Sequence, residues 1–202
     1  MEILGRLYYC GFEVENETVI GQRTFIIARR ITIPQRDLHR RYGLIIRLPR
    51  IGKNGKKIDV YKFRTMYPYA EFVQQYVFEK NSLSQGGKIK NDPRITSYGR
   101  FFRRIWIDEL PMFINLMKGE MKLIGVRPLS KHYFGLYTKE LQEKRIKFKP
   151  GLLPPFYADM PKTLDEIQAS EMKYLRKCEK NGVFVTDFKY FWNILFNIVF
   201  RK

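Results

Sequence analysis

The sequence predicts a compact α/β (α+β) domain in which helices surround a small sheet or β-hairpin. The first observation is length, because 202 residues are enough for one hydrophobic core and short for two full domains. The second is composition, since 45% hydrophobic and 15% aromatic residues argue against a disordered chain. The third is the mixture of strand-like segments with segments whose apolar residues have helical spacing.

The N-terminal part, residues 1–41, is predicted to contain short strands and to end in a linker. RLYYCGF (6–12) and TFIIARRIT (24–32) are rich in aromatic and β-branched residues, and the polar VENET (14–18) separates them. Residues 34–41 are polar and basic, which is typical of a linker.

A β-hairpin is predicted next, formed by LIIRLPRIG (44–52) and KIDVYKFRT (57–65). Asn54-Gly55 lies between them and is the strongest two-residue turn signal, because both positions tolerate positive φ. Alternation along the second strand puts Lys62 and Arg64 on one face, where both could meet one phosphate-bearing substrate. The alternative is a solvated edge whose charges discourage aggregation.

Residues 99–129 surround an adjacent carboxylate pair, Asp108-Glu109. An arginine-rich run before the pair carries apolar i,i+4 pairs, which predict a helix with a buried stripe. Pro111 suits a first helical turn, so the acidic pair complements the dipole of a short helix over 112–118. A helix over 68–80 is predicted upstream of this region from its apolar spacing.

Two adjacent carboxylates among cationic side chains suit one particular chemistry. An ionised aspartate can attack phosphorus, but Mg²⁺ and Arg or Lys must neutralise the anionic substrate. The alternative is that Asp108 and Glu109 cap a helix and pair with surface arginines. His39 and His132 are the only histidines and lie far apart, which argues against a histidine-based metal site or triad.

Arg127 is a further phosphate candidate because it lies between Val126 and Pro128. Proline restricts the preceding residue to extended geometry, which holds Arg127 at a defined angle after a strand. Guanidinium groups bind phosphate oxygens bidentately.

Two long helices are predicted near the C-terminus. Thr163 and Glu166 fit a capping box for a helix that stops at Asn181-Gly182. The run 187–202, DFKYFWNILFNIVFRK, is predicted to be a mostly apolar helix capped by Asp187. It is too short to cross a bilayer, so it packs in the core or lies amphipathically at a membrane interface.

The net charge of +18 predicts attraction to nucleic acid, anionic lipid or a nucleotide, without selecting among them. Cys10 and Cys178 show neither metal spacing nor a disulfide framework, which predicts free thiols in a reducing compartment. No secretory signal and no run of about 18 uninterrupted apolar residues is visible.

Several blocks, in this order, resemble the bacterial sugar transferase family, the monotopic polyprenyl-phosphate phosphoglycosyl transferases that begin bacterial glycoconjugate synthesis. The blocks are KFRTM (62–66), NDPRIT (91–96), DELP (108–111), NLMKGEMKLIG (115–125), VRPL (126–129) and KPG (149–151). The resemblance runs from about Arg47 to the C-terminus, and it is specific because unusual blocks occur in the family's order. It implies a catalytic domain over 42–202.

The resemblance implies a two-step reaction. Asp108 attacks the sugar-bearing phosphate of a nucleotide diphosphosugar, expected to be a UDP-sugar, and expels the nucleoside monophosphate. A polyprenyl (undecaprenyl) phosphate then takes the phosphosugar, in the first membrane step of exopolysaccharide or glycoconjugate synthesis. Glu109 becomes the principal Mg²⁺ ligand, and Arg127 and Lys62 neutralise phosphate charge.

Three further substrate-binding candidates follow from the resemblance, namely Arg64, Arg94 and Glu171. Arg94 falls in a neighbourhood that lies near the active site in the family, and a surface salt bridge is the alternative. Glu171 stands where the family tends to show an aspartate, with a solvated helix carboxylate as the alternative.

The chain departs from the family at three places. Val126 replaces the usual proline before Arg127, and LLPPFYADMP (152–161) replaces an Ile-Thr-Gly-Trp-like run, so selectivity is the property least safely transferred. The hydrophobic membrane helix that usually precedes the catalytic region is not seen. We therefore expect peripheral or monotopic binding to anionic lipid at the cytoplasmic face of the inner membrane, with a membrane partner or a missing segment as the alternative.

Two other function classes compete with this reading. A basic nucleic-acid-binding protein would match the charge, but no recognised motif occurs and the basic residues are spread rather than clustered, so we expect no nucleic acid partner. A catalytically silent, membrane-associated scaffold is the second. Release of nucleoside monophosphate from a nucleotide sugar separates the enzyme from both.

Overall fold

The computed structural model describes residues 1–34, 42–80, 89 and 91–200. By its internal contacts the chain divides into two compact units, Met1–Leu44 with Arg64–Asp108 (unit 1) and Ile45–Phe63 with Glu109–Lys202 (unit 2). The mixture of helices and small sheets confirms the predicted α/β class. The sequence also predicts a loop at Gly86-Gly87. That loop, and the predicted linker apart from Pro34, lie outside the described residues.

Unit 1 contains a hairpin and helices. Its elements are α1 (Glu2–Tyr9), the antiparallel strands β1 (Phe12–Ile20) and β2 (Arg23–Arg30), α2 (Gln74–Lys80) and α3 (Ser97–Arg104). Leu4 of α1 packs with Val73 and Val77 to form its small core. The exposed Glu15 of the hairpin forms an ion pair with Arg29 across the strands.

Two predictions for the N-terminal part were wrong. RLYY (6–9) belongs to α1 rather than to a strand, because α1 packs closely on another segment of unit 1: a Cβ on Gly5 would lie 2.5 Å from the carbonyl oxygen of Tyr69. This packing overrides the β-propensity of the tyrosines. VENET lies inside β1 instead of between strands, where Glu17 accepts a hydrogen bond from Lys80 of α2.

The helix predicted over 68–80 is shorter than expected and begins at Gln74. Tyr69 has a φ of 63°, which lies in the left-handed region and cannot continue a right-handed helix. The residues from 69 to 73 therefore form turns before α2 begins.

Unit 2 opens with the predicted hairpin, which is confirmed. β3 (Ile45–Ile51) and β4 (Lys57–Phe63) pair in antiparallel fashion around a 3₁₀ turn at Lys53–Gly55. Asn54 and Gly55 have φ values of 58° and 71°, as the turn signal predicts.

A short 3₁₀ helix, Ile107–Met112, contains Pro111 and leads into α4 (Phe113–Met117), within a residue of the predicted short helix. β5 (Lys122–Ile124) then pairs in parallel with β6 (Gly151–Leu153). The two backbones approach very closely beyond this pairing, because a Cβ on Gly151 would lie 2.1 Å from the backbone nitrogen of Gly125.

The remaining helices of unit 2 are α5 (Lys131–Gly135), α6 (Lys139–Ile146), α7 (Phe156–Asp159), α8 (Leu164–Asn181) and α9 (Val183–Phe200). The predicted Thr163 cap is confirmed, since its hydroxyl accepts a hydrogen bond from the Glu166 backbone. The Glu166 carboxylate accepts from the backbone nitrogen of Lys162, one residue before the cap, and not from that of Thr163 as a capping box requires. A core that includes Leu141, Tyr174, Leu175 and Ile194 joins α6, α8 and α9.

Helix α9 begins four residues earlier than predicted, so Asp187 is not its cap. The carboxylate instead accepts hydrogen bonds from Lys122 at 2.8 Å and Tyr174 at 2.5 Å. The earlier start also overturns the prediction that this helix is too short to cross a bilayer. Among the described residues α9 alone is long and apolar enough to do so, by length and composition only.

Candidate functional site

Lys62 and Glu109 form an ion pair in unit 2. Alternation along β4 places the Lys62 side chain so that its Nζ donates to Oε1 of Glu109 at 2.5 Å. Both side chains are largely shielded, with 16% and 25% of their surfaces exposed. Partial withdrawal from water strengthens their attraction relative to a surface pair. The pair therefore holds a carboxylate and an ammonium group in one fixed arrangement.

Asn115 fixes α4 against the strand that carries Lys62, and the sequence reasoning did not single it out. Its side chain is fully buried, accepts from the Tyr61 backbone at 3.1 Å and donates to the Asp59 carbonyl at 2.8 Å. It also donates to Glu120 at 2.7 Å. The Asn-X-X-X-X-Glu spacing was visible in the sequence, but the strand partner is more than fifty residues away.

Asp108 is the last residue of unit 1 and is mostly buried, with 9% of its surface exposed. Few water molecules can reach a carboxylate in such a position, so its charge interacts strongly with neighbouring groups. Glu109, the first residue of the following segment of unit 2, comes next in the chain.

Arg94 forms a buried ion pair with Asp92 in unit 1. Its Nε and Nη2 donate to both oxygens of Asp92, at 2.9 and 2.6 Å, and both residues are buried. Burial opposes ionisation of Asp92, but the hydrogen bonds from Arg94 outweigh this effect and hold the pKa of Asp92 below its ordinary value. The salt-bridge alternative for Arg94 is thus observed inside the unit rather than at its surface, and its phosphate role stays a prediction.

Arg64 belongs to unit 1, where its Nε donates to the Gly43 carbonyl at 2.9 Å. This contact fixes the guanidinium group beside the chain segment that precedes β3. Its substrate role also stays a prediction.

A buried ion pair in unit 2 donates a hydrogen bond to the backbone of Arg127. Nη2 of Arg145 donates to the Arg127 carbonyl at 2.5 Å, and Nη1 of Arg145 donates to Glu171. The Arg145 guanidinium also lies 5.1 Å from the centre of the Tyr137 ring. The Arg127 side chain itself is exposed.

Glu171 is fully buried, so its predicted alternative, a solvated helix carboxylate, is wrong. Burial raises its pKa above the ordinary value, against the opposing charge of Arg145. Arg145 links Glu171 to the phosphate candidate Arg127 through its two hydrogen bonds. A direct contact of Glu171 with substrate stays a prediction.

Glu109 fits the expected magnesium ion. Within the described ranges no three His, Cys, Asp or Glu side chains come together as a metal cluster. Mg²⁺ needs no such cluster, because it keeps several waters and is held by one or two carboxylates together with substrate phosphates. Glu109 offers a hard oxygen donor that is partly open to solvent.

Comparison with known proteins gives consistent matches. The family model described as bacterial sugar transferase matches residues 24–201. The chain is 40% identical over 104 residues to the galactosyl transferase CpsE of Streptococcus agalactiae, covering 51% of this chain and 23% of that protein.

Two further relatives carry more descriptive names. The chain is 35% identical over 108 residues to the undecaprenyl-phosphate galactose phosphotransferase of Salmonella typhimurium, covering 51% of this chain and 22% of that protein. It is 32% identical over 157 residues to the UDP-glucose:undecaprenyl-phosphate glucose-1-phosphate transferase of Escherichia coli, covering 77% and 30%. The chain thus spans less than a third of each of these relatives.

Proposed function

The chain belongs to the bacterial sugar transferase family, and from this premise we propose that it transfers a sugar 1-phosphate from a UDP-sugar to undecaprenyl phosphate. The relatives whose names include undecaprenyl phosphate and UDP-glucose support this choice of substrates. The observation that carries the proposal is the Lys62–Glu109 ion pair. Glu109 directly follows the mostly buried Asp108 in the chain, so the pair lies next to the proposed nucleophile in sequence.

The first step is attack by a carboxylate oxygen of Asp108 on the phosphorus that bears the sugar. A new oxygen–phosphorus bond forms, the bond to the nucleoside monophosphate breaks, and its electron pair leaves with that oxygen. An ionised carboxylate attacks phosphorus directly, so the proposed step needs no base to activate Asp108. The product is an aspartyl phosphosugar and free nucleoside monophosphate.

The second step returns the enzyme to its starting state. A phosphate oxygen of undecaprenyl phosphate attacks the same phosphorus, and the bond to Asp108 breaks with its electron pair returning to the carboxylate. The product is an undecaprenyl diphosphosugar. In both steps two anions must approach each other, and Lys62 and Arg127 neutralise phosphate charge.

Glu109 would hold Mg²⁺, which when bound neutralises the phosphate oxygens. The ion pair with Lys62 orients the Glu109 carboxylate before substrate arrives.

The lipid acceptor requires access to a membrane, and α9 offers a suitable surface. Its buried residues, Thr186, Tyr190, Ile194 and Asn197, follow one face of the helix. On the other face Trp192 and Phe196 are 53% and 54% exposed. We propose that this face lies in the headgroup region of the cytoplasmic leaflet, assisted by the net charge of +18.

The decisive experiment traps the covalent intermediate. Incubation with a UDP-sugar and Mg²⁺, without lipid acceptor, should add one phosphosugar to the peptide that contains Asp108, as seen by mass spectrometry. Asp108→Asn removes the anionic nucleophile at constant size, so turnover should fall by several orders of magnitude.

Asp165→Asn is the matched control, because Asp165 is an exposed carboxylate in the first turn of α8. It should leave both the adduct and turnover unchanged. Near-normal turnover by the Asp108→Asn variant would show that Asp108 is not the nucleophile.

A further inference from the structure

Arg50 and Arg127 are brought together by the backbone of unit 2. The backbone nitrogen of Ile51, at the end of β3, donates to the Leu129 carbonyl at 2.9 Å. Arg50 precedes Ile51 in the chain, and Arg127 lies two residues before Leu129. One hydrogen bond therefore ties the strand that carries Arg50 to the segment that carries Arg127.

The two guanidinium groups are close enough to repel each other. Partial burial of Arg50 and then the charge of Arg127 lower the pKa of the Arg50 side chain. The Arg50 side chain donates a local hydrogen bond, from Nη1 to the carbonyl of Pro49 at 2.8 Å. A neighbouring cation makes this position unfavourable for a second cation unless an anion joins them.

Two buried arginines of the protein have acidic partners. Arg94 pairs with Asp92 and Arg145 pairs with Glu171. Within residues 1–34, 42–80, 89 and 91–200, by contrast, no carboxylate forms an ion pair with Arg50 or Arg127. Charged groups withdrawn from water are normally paired, so the partly buried Arg50, which lies beside the exposed Arg127, lacks a counter-charge in the described part of the chain.

We propose that Arg50 acts with Arg127 as a two-guanidinium subsite for a phosphate group, and that this phosphate belongs to a substrate of the proposed transfer reaction. The assignment of the phosphate to a substrate rests on the proposed function. Two planar guanidinium groups offer more N–H donors than one phosphate oxygen can accept. They therefore suit a phosphate group with at least two negative charges. The buried Arg145–Glu171 pair holds one side of the subsite through the Arg127 carbonyl.

Inorganic pyrophosphate tests the subsite without requiring turnover. Its binding is measured by isothermal titration calorimetry, without Mg²⁺, for the wild type, Arg50→Gln and Arg127→Gln. Loss of a charge-assisted hydrogen-bonding group weakens binding roughly tenfold or more, and each variant should show such a loss. Arg50→Lys should recover only part of the affinity, because an ammonium group cannot donate as a fork.

Arg176→Gln is the matched control, since Arg176 is an exposed arginine of α8 in the same unit and its removal changes the net charge equally. It should weaken pyrophosphate binding by no more than about twofold. Equal losses in the Arg50 and Arg176 variants would mean that the effect is general charge, and wild-type affinity in Arg50→Gln would overturn the subsite. These outcomes stand even if no nucleotide sugar proves to be a substrate.

Steady-state kinetics of Arg50→Gln then identify the phosphate. A raised KM for the UDP-sugar alone assigns the subsite to the donor diphosphate, and a raised KM for undecaprenyl phosphate alone assigns it to the acceptor. Unchanged kcat/KM for both substrates, alongside weakened pyrophosphate binding, would refute the assignment to a substrate of this reaction.

Discussion

Replacing Glu171 by glutamine tests the buried ion pair most directly. The change keeps the side-chain size and removes the negative charge opposite Arg145, whose side chain is 4% exposed. Removal of one partner from a buried ion pair costs about 3–5 kcal/mol, because the other charge stays buried and uncompensated. Arg145 retains the Arg127 carbonyl and the Tyr137 ring, and burial already disfavours the charge of Glu171 by raising its pKa. We therefore expect a loss near ~3 kcal/mol, at the lower end of the ~3–5 range.

Urea unfolding followed by far-UV circular dichroism measures this loss. With a slope of about 2–3 kcal/mol per molar urea for a chain of this size, the midpoint should fall by roughly 1 M. Glu179→Gln is the matched control on the same helix, since Glu179 pairs with Lys144 at a solvent-accessible position and is worth ~0.5 kcal/mol or less. The double change Arg145→Met with Glu171→Leu should recover most of the stability, because no lone charge is left buried.

The reasoning fails if Glu171→Gln unfolds within about 0.5 kcal/mol of the wild type. That result would mean that Arg145 finds full compensation elsewhere, or that Glu171 is neutral in the folded state.

Three further predictions concern metal, pH and membrane. Chelation should abolish turnover, and Glu109→Gln should raise the Mg²⁺ concentration required for half-maximal rate; full activity in excess chelator would remove Glu109 from its role. Because the pKa of Asp92 is lowered on folding, its contribution to stability is present above the ordinary value of about 3.8 and is lost as pH falls through the lower folded pKa. Asp92→Asn should therefore flatten the fall of the thermal midpoint in acid. Trp192→Ser with Phe196→Ser should weaken binding to anionic vesicles, and salt should weaken the wild type.

Each of these predictions has its own control. Glu120→Gln removes a different carboxylate of the same unit and should leave the Mg²⁺ requirement unchanged, although it perturbs a hydrogen bond of Asn115. The dependence of the thermal midpoint on pH for Asp92→Asn is compared with that for Asp165→Asn, which replaces an exposed carboxylate. The Asp165 variant should show the same fall of the thermal midpoint in acid as the wild type. The exposure of Trp192 and Phe196 means that the double variant should stay folded by circular dichroism; wild-type vesicle binding by that folded variant would show that α9 is not the contact surface.

Local sequence signals predicted local structure well. The turn at Asn54-Gly55 and the cap at Thr163 each depend on residues within a few positions of one another. All the interactions that determine them can therefore be read from a short stretch of sequence. The tyrosines of α1 show the limit of this logic. Their strand propensity was outweighed by close packing on Tyr69, some sixty residues along the chain, and no window around α1 contains that contact.

The same limit applies to the candidate site. Motif order alone identifies Asp108, Glu109, Lys62 and Arg127 as candidates. The structure brings Lys62 and Glu109 into contact, and the catalytic roles of all four residues stay predictions. Arg145 and Arg50 have no motif of their own. In the sequence Arg145 cannot be told from the many other basic residues, and only the structure shows that it donates to the Arg127 carbonyl. Arg50 likewise becomes a candidate only because the hydrogen bond from Ile51 to Leu129 brings its strand to the Arg127 segment.

The contact between Gly125 and Gly151 bears on how mutational screens of this protein should be interpreted. Any side chain on Gly151 would meet the backbone of Gly125 at 2.1 Å, and backbone atoms cannot move aside as a flexible side chain can. Substitutions at Gly151 should therefore abolish activity as completely as loss of Asp108, although this glycine need touch no substrate. A screen that scores activity alone would group the two positions, and one that also measures soluble protein would separate them.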